Sequence, residues 1–206
     1  MTPLPPPRFP IAFESEGHRY AIAGKPVPPV TTILASVAIH GRPLVDAAWF
    51  TERAAERGTN AHEQIAAYCR GEVGPDASPY VEAFHKFALH MGFTPAASEI
   101  VVGSIQHGYA GTADMIGSFA SRAKPAPVVL LDIKTGPVHD HHALQLGAYA
   151  LAAHESRGIF IDDAFVLQLS PPNYMLFNCP MPLDVACRTF LGLRTAYGMR
   201  APKEAT

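Results

Sequence analysis

Cysteine is scarce in this chain. Its three residues, Cys69, Cys179 and Cys187, are scattered and form no Cys-x-x-Cys pair. That argues against a disulfide framework, a zinc ribbon and a four-cysteine iron–sulfur cluster. A dominant sign of charge is also missing, since the formal net charge is −2. No global basic field draws in nucleic acid or a membrane surface, so an anionic partner has to be held by local charge or by a metal. No apolar run approaches the roughly 18 residues that a transmembrane helix needs. The opening Met1-Thr2-Pro3-Leu4-Pro5-Pro6-Pro7 lacks the basic and apolar regions of a signal peptide. A reducing cytoplasm is the expected setting.

What is present is enough apolar material for a core: 48% of 206 residues. That length suits one domain, or one domain with an elaboration. Residues 1–30 read as a proline-rich arm and a small hairpin, with five prolines among the first ten residues. Strand-like residues from Phe13 to Ala23 are broken by Glu16-Gly17, and residues 24–29 read as a turn or linker. Residues 31–200 read as a single domain and 201–206 as a tail. Thr31 to Leu34 can begin a short helix. Small and apolar residues spaced three to four apart (Ala54, Gly58, Ala61, Ile65, Cys69) predict a helix over Ala47–Tyr68. Further helices are expected over Tyr80–Met91, Ala143–His154 and Leu183–Tyr197. Strands are expected at Glu99–Val102, Thr112–Ile116, Val128–Lys134, Ala164–Leu169 and Tyr174–Phe177, with a loop over Ser121–Pro127. This order predicts an α/β fold with a mixed central sheet flanked by helices.

The stretch Val128-Val129-Leu130-Leu131-Asp132-Ile133-Lys134-Thr135-Gly136 says most about chemistry. A buried strand would carry Asp132 and Lys134 to its end on one face, because strand residues two apart project together. Glu99 and Asp114 sit in the two preceding strands, so three carboxylates can converge if those strands are neighbours. Crowded carboxylates repel, and a divalent cation relieves them. Oxygen ligands favour magnesium or manganese, and a neutral His62 imidazole tilts the choice toward manganese without excluding magnesium. Such an ion beside a lysine suits phosphodiester hydrolysis.

In order and spacing, Gly58-Thr59-Asn60-Ala61-His62, Glu99, Gly111-Thr112-Ala113-Asp114, Asp132-Ile133-Lys134-Thr135-Gly136 and Gln145-Leu146-Gly147-Ala148-Tyr149 resemble the PD-(D/E)XK nuclease superfamily, in its RecB-type and phage exonuclease branch. The likeness covers about residues 31–150. It implies a restriction-endonuclease-like core. It also implies that His62, Asp114, Asp132 and the Ile133 carbonyl ligate metal, that Lys134 is the catalytic lysine, and that Glu99 assists with metal or water. Gln145 and Tyr149 would shape the site and contact nucleic acid. The Pro-Asp dipeptide of the family is absent before Asp114, and Gly-Thr-Ala-Asp stands there, as is usual for the RecB-type branch. The cluster-binding cysteines of some relatives are missing, which removes the cluster and not the nuclease.

The resemblance implies a magnesium- or manganese-dependent deoxyribonuclease, an exonuclease on DNA ends or single strands. Its setting would be replication, recombination or repair, in a phage or prophage context, with a helicase or recombination protein as partner. Near-neutral charge weighs against coating long duplexes. The rivals are a sequence- or structure-specific endonuclease on the same core, a non-catalytic nucleic-acid-binding protein, and a phosphohydrolase using His139-Asp140-His141-His142. That last tract is expected to be a solvated loop. Arg122 and Lys124 read as loop charges that can serve as phosphate contacts.

Overall fold

A computed structural model describes residues 4–39, 42–44, 52–123 and 125–200. Lys124, the start of the expected 47–68 helix and the 201–206 tail therefore lie outside the described residues.

The chain begins with a meander. Strands β1 (Ile11–Glu14), β2 (Arg19–Ile22) and β3 (Lys25–Val27) form an antiparallel sheet in that order. β3 falls where the sequence reads as a turn or linker. A strand is possible there because β3 is an edge: Pro26 stands opposite Ala21 of β2, and no further strand needs its missing N–H on the other side. Helix α1 (Val30–Ala35) follows, then the two-residue strands β4 (Ala38–Ile39) and β5 (Arg42–Pro43), which pair with each other. Next come α2 (Glu52–Cys69) and α3 (Pro79–Met91). The α3 boundaries are set by local chemistry: Ser78 Oγ accepts from the Val81 amide, and Gly92 closes the helix in the left-handed region at φ 61°.

The main sheet contains β6 (Phe93–Ser104), β7 (Tyr109–Phe119), β8 (Val129–Lys134), β9 (Asp163–Ser170) and β10 (Asn173–Asn178) in the order β10-β9-β8-β7-β6. Helix α4 (His141–Arg157) connects β8 to β9, which run parallel, and the other neighbouring pairs are antiparallel. Helix α5 (Leu183–Arg200) ends the described chain. The sheet is thus mixed and flanked by helices, as the order of elements predicts. β8 is the central strand. It is buried from Val129 to Ile133, which explains its continuous apolar run. β6 is far longer than its β-prone core at residues 99–102. It runs through Pro95 because it is an edge strand, and its register with β7 shifts between Pro95 and Ala97.

Two apolar layers sandwich the sheet. Ile65, Phe84 and Phe87 from α2 and α3 pack with Met115, Leu131 and Ile133. On the other side Leu34, Leu146, Ala153 and Phe190 pack with Ile100, Ile116 and Leu130. A smaller cluster of Tyr20, Ile22 and Ala110 seats the N-terminal sheet on β6 and β7. The proline arm runs to the far end of α4, where the Pro5 carbonyl accepts from Arg157 and the Arg8 amide donates to the Ser156 carbonyl. Among the described residues no helix is long and apolar enough to cross a membrane.

α4 and α5 cross at Gly147, where an added Cβ would lie 2.6 Å from the Ala186 carbonyl carbon and the Cys187 nitrogen. Backbone cannot yield as a flexible side chain does. Gly147→Ala is expected to cost about 1–3 kcal/mol in urea unfolding. Gly192→Ala, in open space on α5, should be neutral or stabilising by up to about 1 kcal/mol.

Candidate metal centre

The cluster forms where β8 ends and α2 passes over it. The β7–β8 register pairs Met115 with Leu131, so one step further places Asp114 opposite Asp132. Asp114 Oδ2 accepts from the Ile133 amide at 2.7 Å, a charge-assisted bond that fastens one acid to the strand bearing the other. Asp132 is 1% exposed, and its Oδ1 accepts from Lys134 Nζ at 2.6 Å. Its other oxygen, Oδ2, is buried without a hydrogen-bond partner. A buried carboxylate oxygen left unsatisfied is costly.

His62 comes from α2. Its Nε2 lies 2.9 Å from the Ile133 carbonyl oxygen. Its Nδ1 lies 3.5 Å from both Glu99 Oε1 and Asp114 Oδ1. If Nε2 donates to the carbonyl, a neutral ring turns the Nδ1 lone pair toward two carboxylates, which is repulsive. Positive charge has to stand between them. In the protein alone a proton supplies it: burial opposes charge on the ring, but Asp114 and Glu99 prevail and lift the His62 pKa to about 9. A divalent cation would meet the same deficit. His62, Glu99 and Asp114 each offer a ligand atom, all within 4.8 Å of one another. Nitrogen-plus-carboxylate donors suit manganese or magnesium.

The buried pair next to this triad is tuned in the same way. Burial raises the Asp132 carboxyl above the ordinary carboxylate range, with Lys134 opposing and Asp114 reinforcing the shift. Burial pulls the Lys134 ammonium down, yet Asp132 and Asp114 together hold it above its ordinary value. Lys134 therefore keeps its proton and faces more negative charge than it can neutralise.

Glu99 stands in the left-handed region at φ 51° within an edge strand. For a non-glycine residue this conformation carries about 1–2 kcal/mol of strain. The Glu99 carboxylate lies 3.5 Å from His62 Nδ1.

The motif glycines have different roles. Gly111 is required by Tyr149, whose Cε1 would lie 2.7 Å from an added Cβ. Tyr149 is itself buried, and its phenol accepts from Gln145 Nε2 at 3.2 Å. Gln145 thus remains the partly exposed member of that pair, while Tyr149 packs. Gly58 gives no such close approach: an added Cβ would meet only Thr135 Oγ1, at an ordinary 3.8 Å.

Not every residue singled out in the sequence reaches the cluster. Arg122 follows the end of β7 that pairs toward the start of β8, whereas Asp132 and Lys134 lie near the strand's other end. It is exposed in the loop at the opposite end of these strands from the acids. The histidine tract is not a solvated loop. His141 and His142 open α4, and His142 is 5% exposed. Its Nδ1 accepts from the His139 amide at 3.1 Å. Among the described residues these histidines do not converge with a third ligand. One supporting residue escaped the sequence reading. Gln168, paired with Lys134 across β8 and β9, donates from Nε2 to the Gly136 carbonyl at 2.8 Å and pins the loop after the lysine. Its signal was a lone amide inside the apolar run of β9.

No family model matches the chain. No curated protein matches it either. A solved structure described as the crystal structure of SSO0001 is 16% identical over 72% of this chain, with a TM-score of 0.34. This chain spans 62% of that protein's length. A likeness at that level carries no argument about family or activity.

The His62 shift has a definite sign. Its folded pKa is raised from 6.5 to about 9, so its stabilisation is fully present below pH 6.5 and is lost as pH rises through about 9. In chelator, unfolding free energy should fall by about 3 kcal/mol across that window. His62→Asn should flatten the slope in denaturant titrations at several pH values.

Proposed function

We propose that this protein is a metal-dependent deoxyribonuclease that hydrolyses phosphodiester bonds, most naturally as an exonuclease on DNA ends or single strands. One observation carries the reading. A triad of metal-ligand atoms within 4.8 Å adjoins a buried aspartate whose second oxygen lacks a partner, and that aspartate is paired to a lysine. The order of those residues in the sequence resembles that of PD-(D/E)XK nucleases.

The donor set fits magnesium or manganese. His62, Glu99 and Asp114 would hold the ion, while the Ile133 carbonyl stays with His62 Nε2 and Asp132 with Lys134 beside it. Bound there, such an ion supplies a more acidic water and charge neutralisation at the phosphate.

The chain's own groups account for the rest. Lys134 keeps its proton between Asp132 and Asp114. Its ammonium can therefore offer charge to the extra negative oxygen that develops as the phosphorus is attacked. Glu99 is the most accessible of the acids, with a side chain 41% exposed, so it is the one an entering water or phosphate meets first. Gln145 is held by Tyr149 at the edge of the acids, where its amide can meet a sugar or base. The buried Asp132 serves to fix Lys134 in direction.

The test is digestion of end-labelled linear single- and double-stranded DNA and of closed circles, with magnesium, manganese or chelator. Linear DNA should be lost only with metal, and circles should be spared. Lys134→Gln should lower the rate by about 10²–10³-fold, and Asp132→Asn should abolish it. His141→Ala should leave it nearly unchanged. A silent native protein, or activity that survives Asp132→Asn, would contradict the proposal. Circular dichroism of each variant separates lost chemistry from lost fold.

A further inference from the structure

The N-terminal hairpin carries an aromatic pair of which one ring is buried and the other is exposed. Phe13 and Tyr20 face each other across β1 and β2. Their rings stack at 4.8 Å between centroids and 26° between planes. Tyr20 is 5% exposed and belongs to the cluster that seats this sheet, whereas Phe13 is 39% exposed. A ring stacked on one side and exposed to that degree turns its other face to solvent. His18 is the other ring neighbour of Phe13, 5.6 Å between centroids and 79° between planes. Beside it, Arg19 pairs with Glu14 at 3.2 Å. What the hairpin presents is therefore an exposed aromatic ring backed by a buried one.

Its location gives that face a use. Tyr20 Oη lies 2.9 Å from Thr112 Oγ1, and Thr112 is two residues, or about 7 Å of strand, from Asp114. Glu99 is also within electrostatic reach: burial raises the Tyr20 phenol, and the Glu99 charge adds to the rise. Going outward along β6, Ile22 and Ile11 cover Gly103, where an added Cβ would lie 3.0 and 3.2 Å from them. The Phe13–Tyr20 step comes next, on the side toward Glu99. Successive bases of a single strand fall within such distances of a phosphate held at the acids.

The geometry points to Phe13, backed by Tyr20, as a stacking platform for an unpaired nucleobase of the DNA strand whose phosphate lies at the His62–Asp114 cluster. This rests on the nuclease reading of that cluster and adds a substrate class to it: single strand rather than closed duplex. Aromatic faces hold bases without regard to sequence, because every base has a π-face. A paired base is already stacked between its neighbours and gains nothing from Phe13.

The test uses a hydrolysis-resistant phosphorothioate oligonucleotide in manganese, single-stranded or as a blunt duplex, with binding followed by fluorescence anisotropy. Phe13 is at the surface, so its variants should fold. Phe13→Ala and Phe13→Leu should each weaken single-strand binding about ten-fold. Phe13→Trp should bind as well as the native chain, and duplex binding should not change. Unchanged single-strand binding by Phe13→Ala overturns the inference. So does native-like binding by Phe13→Leu, since burial without a π-face would then suffice. Equal losses on duplex and single strand also overturn it. Cleavage of ordinary linear DNA, run in parallel, separates the two levels. If the native chain cleaves while Phe13→Ala binds unchanged, the platform alone fails. If the native chain neither cleaves nor binds, the nuclease reading fails with it.

Discussion

The bond from the Ile133 amide to Asp114 Oδ2, 2.7 Å long, is the constraint on which the candidate centre depends. It holds an acid of β7 against the backbone of β8, next to a second, buried acid. Two carboxylates so placed, with Glu99 close by, leave more negative charge than Lys134 can balance in a low-dielectric interior. The surroundings respond consistently. His62 is driven to hold a proton, Asp132 is pushed toward its neutral form, and Lys134 keeps its charge despite burial. Each response follows from burial and from carboxylate charge crowded at the end of β8.

The fold maintains this arrangement from several directions. α2 brings His62 over the end of β8, and Ile65 on the same helix anchors it in the layer beneath the sheet. α4 returns across the other face, with Tyr149 seated where Gly111 leaves room. The N-terminal sheet ties to β7 through Tyr20 and Thr112. Glu99 contributes strain, held in the left-handed region by a strand packed on its partner. Backbone strain of this kind gathers at functional sites because it aims a side chain where an unstrained strand would not.

The central architecture was legible because β8 is an interior strand and must be apolar throughout, and because α2 and α3 show one buried stripe each. The mixed sheet flanked by helices follows from that alternation. Edge elements were less legible. Pro26 lies in a stretch that reads as a turn and Pro95 lies ahead of the expected 99–102 strand, yet both sit in edge strands, which tolerate a missing N–H. The spacing of His62, Glu99, Asp114, Asp132 and Lys134 was visible, and the tertiary structure brings these five together. Arg122 is not brought there, because loop charge carries no information on which end of the sheet the loop occupies. His142 looked solvated by composition, but helix α4 begins early enough to bury it. Nothing in local sequence marks Glu99 as left-handed, since that conformation is imposed by its neighbours.

The most direct measurement is calorimetric titration of the chelator-treated protein with manganese at neutral pH, repeated in buffers of different ionisation enthalpy. The account predicts saturable binding with net proton release, because a cation replaces the proton on His62, and loss of that binding in Asp114→Asn. Absence of binding by the folded native chain, or binding that Asp114→Asn leaves intact, would contradict it.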